Sequence, residues 1–270
     1  MLEQEKLIAK VKDLALSDHD IAAVMMYGSF TQNAGDAYSD VEFYVFVRDE
    51  AFAAFVSKTW IAQIMPVEAC FINNYGTEVA IFQNLVRGEF HFLRQSQMDI
   101  IEGFAAVGYF PDAATACIYD ATGELRRYLD TLVLNAAAVR RDDAATIEYV
   151  LNNCLNLLLL GINVLKRGEA ARAWDTLVQA QTFYVQLARL HEGVTHHWLN
   201  PMKNLERELD GAAYLRFVSG TSGLYVQDLE RAYQALAENL NEITKKLKLK
   251  YDFNFNRKLI EKIKDYIITG

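Results

Sequence analysis

Two carboxylates one residue apart, Asp40 and Glu42, follow the glycine–serine pair Gly28-Ser29 by about one strand and its turn. On a strand, side chains two apart point to the same face, so Asp40 and Glu42 project together while Val41 and Phe43 turn into a core. Adjacent carboxylates repel each other unless a cation lies between them, and an all-oxygen pair suits Mg²⁺. Gly28 allows close backbone approach, and a turn N–H together with the Ser29 hydroxyl can hold a terminal phosphate. A two-metal site calls for a third acid. Glu89 opens the run Glu89-Phe90-His91-Phe92, in which Glu89 and His91 share one face and the phenylalanines take the other. If that run neighbours the Asp40 strand, Glu89 completes a three-carboxylate cluster, either as a metal ligand or as acceptor of a proton from an attacking hydroxyl. The competing reading is a solvated strand face that carries acids and binds nothing. Acids alternating with Val41, Phe43, Val45 and Val47 beside a phosphate-type turn favour chemistry.

These residues need a sheet to hold them, and the first half of the chain supplies one. Helical spacing over residues 1–16 is followed by a dense apolar run, 21–27, that reads as a buried strand ending at Gly28-Ser29. Residues 41–47 form a second strand, and 50–64 return to a helical pattern. Residues 67–72 and 77–82 flank a turn signal and predict a hairpin; 89–93 make a last short strand. The second half is helical in period over 124–134, 144–167, 170–191, 203–209, 226–247 and 257–268. The expected fold is α+β: a mixed sheet with flanking helices over residues 1–118, then a helical bundle over 119–270.

Composition narrows the partners. A formal charge of −8 on 270 residues argues against a duplex nucleic acid held through its phosphates. Three dispersed cysteines, Cys70, Cys117 and Cys154, make neither a metal pair nor a disulfide framework, so a reducing cytoplasm is expected. The N-terminus is charged throughout. The longest apolar stretch, 155–165, is interrupted by Asn156, Gly161 and Asn163 and reads as too short and too polar for a bilayer, so no membrane partner is expected.

Lys166 and Arg167 end a long helix and complement its dipole. His91 either tunes Glu89 or packs structurally. The adjacent His196 and His197 do not share a face, which makes a loop or cap the expectation in place of a metal pair. Trp174, Phe183, Tyr184 and Trp198 line a pocket or fill a core.

The segments Tyr27-Gly28-Ser29-Phe30 and Tyr38-Ser39-Asp40-Val41-Glu42-Phe43 resemble the signature of the polymerase-beta-type nucleotidyltransferases. More narrowly, the chain is similar to the two-domain lincosamide nucleotidyltransferases. Asn74-Tyr75-Gly76-Thr77-Glu78-Val79, Arg87-Gly88-Glu89-Phe90-His91-Phe92, Leu151-Asn152-Asn153 and the run from Asn163 to Glu169 carry that likeness, which weakens beyond about residue 210. It implies ATP or another NTP, two Mg²⁺ ions, pyrophosphate release, and transfer of a nucleoside monophosphate, AMP foremost, to a lincosamide hydroxyl such as that of lincomycin or clindamycin. It carries over Asp40 and Glu42 as metal ligands, Glu89 as base and further ligand, Gly28 and Ser29 as phosphate contacts, and Lys166, ahead of Arg167, as a contact to the β- or γ-phosphate across the domain cleft. Many relatives have Asp where this chain has Glu42; the longer acid can still coordinate. The acceptor is expected between sheet and helices, since clefts between domains often hold ligands, and the likeness implies a homodimer. The alternatives are an aminoglycoside acceptor or a catalytically silent module.

Overall fold

The computed structural model describes residues 1–269. By internal contacts these form two units, Met1–Val139 and Arg140–Gly270.

In the first unit, α1 (Glu3–Ser17) precedes β1 (Ile21–Tyr27), and β2 (Val41–Val47) returns antiparallel to it. Two short helices follow, α2 (Asp49–Phe52) and α3 (Ser57–Ile61). A single helix was expected across 50–64; nothing in the apolar spacing marks the turn at residues 53–56. Strands β3 (Val67–Ile72) and β4 (Glu78–Phe82) make the expected hairpin, and β5 (Arg87–Arg94) runs parallel to β2. A 3-10 segment (Gln95–Ala106), α4 (Ala113–Ala116), β6 (Cys117–Asp120) and α5 (Glu124–Ala138) complete the unit. Strand order is β3-β4-β5-β2-β1-β6. Thus β5 is not the last strand: β6 pairs with the free side of β1. Four half-buried residues are too few to show a period, so β6 left no trace in the pattern.

Alternation along the central strands gives the sheet two apolar faces. Val24, Phe43, Val45 and Phe90 pack under α1 and α3 with Leu7, Val11, Trp60 and Ile61. On the other face, Ala23, Met25 and Phe46 meet Met98, Ile101, Leu125, Leu129 and Leu132. That second cluster explains the boundary. The sequence reading divided the chain at 118/119, but α5 buries its leucine stripe on the sheet, so the compact units divide at 139/140.

The second unit consists of α6 (Ala144–Lys166), α7 (Ala170–Glu192), α8 (Leu205–Glu208), α9 (Gly211–Ser219), α10 (Val226–Lys248) and α11 (Arg257–Thr269). Its core joins Leu151, Leu158, Leu177, Tyr184, Tyr233 and Leu240. Asp143 starts α6 by accepting from the Thr146 N–H, an N-cap of ordinary kind. Gly161 lies where Tyr233 crosses α6, and the Tyr233 hydroxyl donates to the Ala173 carbonyl at 2.7 Å. Among the described residues, α6 is the one helix long and apolar enough to cross a bilayer. The shorter stretch judged from sequence took in only part of it. Its buried residues, Ile147 to Leu165, lie in the core of the unit.

Candidate active site

The three acids stand at one end of three neighbouring strands. Register pairs Glu42 with Tyr27 on one side and with Glu89 on the other. Paired residues share a face, so Tyr27, Glu42 and Glu89 form one transverse row, with Asp40 just before β2. The turn that delivers Asp40 is pinned from two directions. Buried Gln4 of α1 donates to the carbonyls of Ala37 and Ser39 at 3.0 and 3.1 Å, and Asp36 accepts from the Tyr38 N–H and the Ser39 hydroxyl.

Gly28 ends β1 with φ of +81°, and a β-carbon there would coincide with the Glu42 carboxylate. Both its conformation and its missing side chain are therefore required. Ser29 opens a short 3-10 turn, Ser29–Gln32, closed by the Thr31 hydroxyl donating to the Gly28 carbonyl at 2.8 Å. The structure thus brings together Gly28, Ser29, Asp40, Glu42 and Glu89. Lys166 belongs to the helical unit, where its ammonium donates to the Tyr266 carbonyl at 2.9 Å and lies 3.4 Å from the centre of that ring.

Two further residues complete the site. Arg87 donates to both Asp40 and Glu89, one guanidinium nitrogen to each. It stands two residues before Glu89, so strand parity alone would have put it on the acidic face. Tyr27 donates to Glu89 Oε2 at 3.5 Å, and its hydroxyl is 3.1 Å from His91 Nε2. Burial first, then the charges of Glu42 and Glu89, raise the Tyr27 pKa far above the phenol range and keep the hydroxyl protonated. Burial lowers the His91 pKa despite Glu89 nearby, so the imidazole is neutral near pH 7. His91 stacks on Tyr44 with ring centres 4.3 Å apart. It is both packed and linked through Tyr27 to Glu89.

The donor set fits Mg²⁺. It consists of carboxylate oxygens from adjacent strands, with Asp40 37% and Glu89 18% exposed, open enough for an ion that keeps some of its waters. Arg87 is the cation that now neutralises Asp40 and Glu89, and an ion between these two would displace it. Among the described residues, the group of three whose ligand atoms all lie within 4.8 Å of one another is a different one, His196, His197 and Glu208 in the helical unit. This corrects the expectation that the adjacent histidines diverge. Of the four aromatics considered as pocket or core, Tyr184 is buried in the core, and Trp174 donates to the Ser222 carbonyl at 3.0 Å. Phe183 and Trp198 line a cavity of about 530 Å³ with Arg141, Tyr149 and Gln186.

Residues 143–266 match the family model of the lincosamide nucleotidyltransferase-like C-terminal domain. The helical unit is therefore similar to such a domain, which supports the two-domain nucleotidyltransferase class read from the sequence. Two solved structures are similar over nearly the whole chain. An aminoglycoside 6-adenyltransferase from Bacillus subtilis is 14% identical, with 99% of this chain and 98% of that one covered and a TM-score of 0.45. A nucleotidyltransferase-like protein from Exiguobacterium sibiricum 255-15 is 13% identical, covering 98% and 90%, with a TM-score of 0.38. Both scores are too low to equate the folds. No curated protein sequence matches the chain.

Proposed function

We propose that this protein transfers a nucleoside monophosphate, AMP foremost, from an NTP to a hydroxyl of a lincosamide. The observation that carries the reading is the row of Asp40, Glu42 and Glu89 on neighbouring strands against the Gly28-Ser29 turn. Asp40, Glu42 and Glu89 would hold two Mg²⁺ ions, which when bound neutralise phosphate charge and acidify the acceptor hydroxyl. The Ser29 hydroxyl and the turn N–H groups bind phosphate oxygens. Glu89 takes the proton from the acceptor hydroxyl as its oxygen bonds to the α-phosphorus. The bond from that phosphorus to the bridging oxygen breaks, and pyrophosphate leaves with the electron pair. Tyr27, kept protonated, orients the Glu89 carboxylate for this task.

The acceptor assignment is supported within the helical unit. The cavity beside Trp198 is lined by Arg141, Tyr149, Phe183 and Gln186 and carries no carboxylate. The Gln186 Oε1 atom is buried without a hydrogen-bond partner. A polycationic aminoglycoside needs acids; a largely neutral, hydroxylated lincosamide does not. Exposed Leu159 and Leu160 on α6 support pairing of two copies, and three free thiols suit a reducing cytoplasm. With ATP and Mg²⁺, pyrophosphate should appear on addition of lincomycin and not on addition of kanamycin. The reverse pattern would overturn the acceptor.

A further inference from the structure

Between α7 and α8 two imidazoles converge on one carboxylate oxygen. His196 Nε2 lies 3.1 Å and His197 Nε2 3.3 Å from Glu208 Oε1, and the rings are 4.3 Å apart. All three ligand atoms lie within 4.8 Å of one another. Atoms bound tetrahedrally about 2.0–2.2 Å from Zn²⁺ stand roughly 3.3–3.5 Å from each other, close to the nitrogen–oxygen separations here.

The carboxylate is held in place from behind. Its other oxygen, Oε2, accepts from Arg189, whose side chain is fully buried. Arg189 also donates to the carbonyls of Pro201 at 2.7 Å, Val194 at 3.3 Å and Lys203. Glu208 therefore presents one oriented oxygen toward the two imidazoles, the outer-shell support that metal ligands commonly have. The segment itself is tied to α7, since Gln186 donates to the Trp198 carbonyl at 2.8 Å.

We propose that His196, His197 and Glu208 bind one divalent transition-metal ion, Zn²⁺ being the best match, with a fourth position left to water. Two imidazole nitrogens and one oxygen suit Zn²⁺ and its neighbours in the series, whereas Mg²⁺ and Ca²⁺ take oxygen donors. The site is distinct from the acids of the sheet unit. Arg189 offsets the charge of Glu208, so the ion binds more weakly than at a closed four-ligand site and fastens residues 194–208 without being needed for folding.

The test is a Zn²⁺ titration of the tag-free full chain, followed by NMR of the imidazole resonances. His196 and His197 should shift together and saturate at one ion per chain, while His19 and His191 stay in place; His91 reports on the sheet acids. His196→Ala, a change at an exposed position, should weaken binding at this site by about tenfold or more with helix content unchanged by circular dichroism. If the variant fails to fold, the wild-type titration decides alone. Unmoved His196 and His197 resonances, or a folded variant that binds Zn²⁺ here as tightly as the wild type, would overturn the site.

Discussion

Both carboxylate oxygens of Glu89 are held by side chains. Arg87 holds one of its oxygens and Tyr27 the other, and His91 backs Tyr27. A carboxylate that only coordinates an ion has no need of a phenol kept protonated by burial. This arrangement predicts that Glu89→Gln lowers kcat by about 100-fold or more while the Kd for ATP changes little, checked by single-turnover kinetics beside nucleotide titration. Equal losses in both would assign Glu89 to binding. The pair Asp40 and Glu42, the glycine–serine turn and the alternation through Glu89 were all readable from spacing. Arg87 was readable too, by the same parity, but a cation among acids attracts less notice than the acids do. Tyr27 was not, because its partnership with Glu89 exists only once β1, β2 and β5 lie side by side.

At the scale of elements, strand ends and helix caps decide what the site can tolerate. Gly28 terminates β1 in a left-handed conformation directly against Glu42. Gly28→Ala should cost about 1–3 kcal/mol and displace Glu42, lowering Mg²⁺ affinity as well as the midpoint of thermal unfolding. A variant with unchanged stability and metal affinity would show that the turn relaxes freely. Asp143 makes a second case. Its bonds to the Thr146 hydroxyl and N–H lower its pKa, so its contribution is present above the ordinary carboxylate range and is lost as pH falls through the depressed folded-state value. Asp143→Ala should therefore destabilise α6 by about 1 kcal/mol at pH 7 and by progressively less on acidification, measured by denaturant unfolding at several pH values. Long elements were legible where burial imposes a period: β1 and β2 run over the residues their patterns marked, and α6, α7 and α10 fall within a residue of theirs. Three other elements were not. β6, α4 and the 3-10 segment are placed by what they pack against, and the convergence of His196 with His197 is set by a turn that follows neither helical nor strand parity.

At the scale of the whole molecule, the chain joins two units of different architecture. The sheet unit gathers hard oxygen donors at a phosphate-type turn. The helical unit, matched over residues 143–266 to lincosamide nucleotidyltransferase-like C-terminal domains, offers an acid-free cavity. The division into two units was visible in the change from period two to helical period, but its border was not, because α5 has the helical pattern of one half and the leucine stripe that covers the sheet of the other. On the reading proposed above, the carboxylates at the strand ends carry nucleotidyl transfer to a lincosamide. Mass spectrometry of lincomycin incubated with ATP, Mg²⁺ and protein tests it most directly. Lincomycin should gain one adenylyl group with the wild-type chain. With Asp40→Ala the product should fall by about 100-fold or more, while stability changes by about 1 kcal/mol or less. Lincomycin of unchanged mass, or equal product from the folded variant, would contradict the claim.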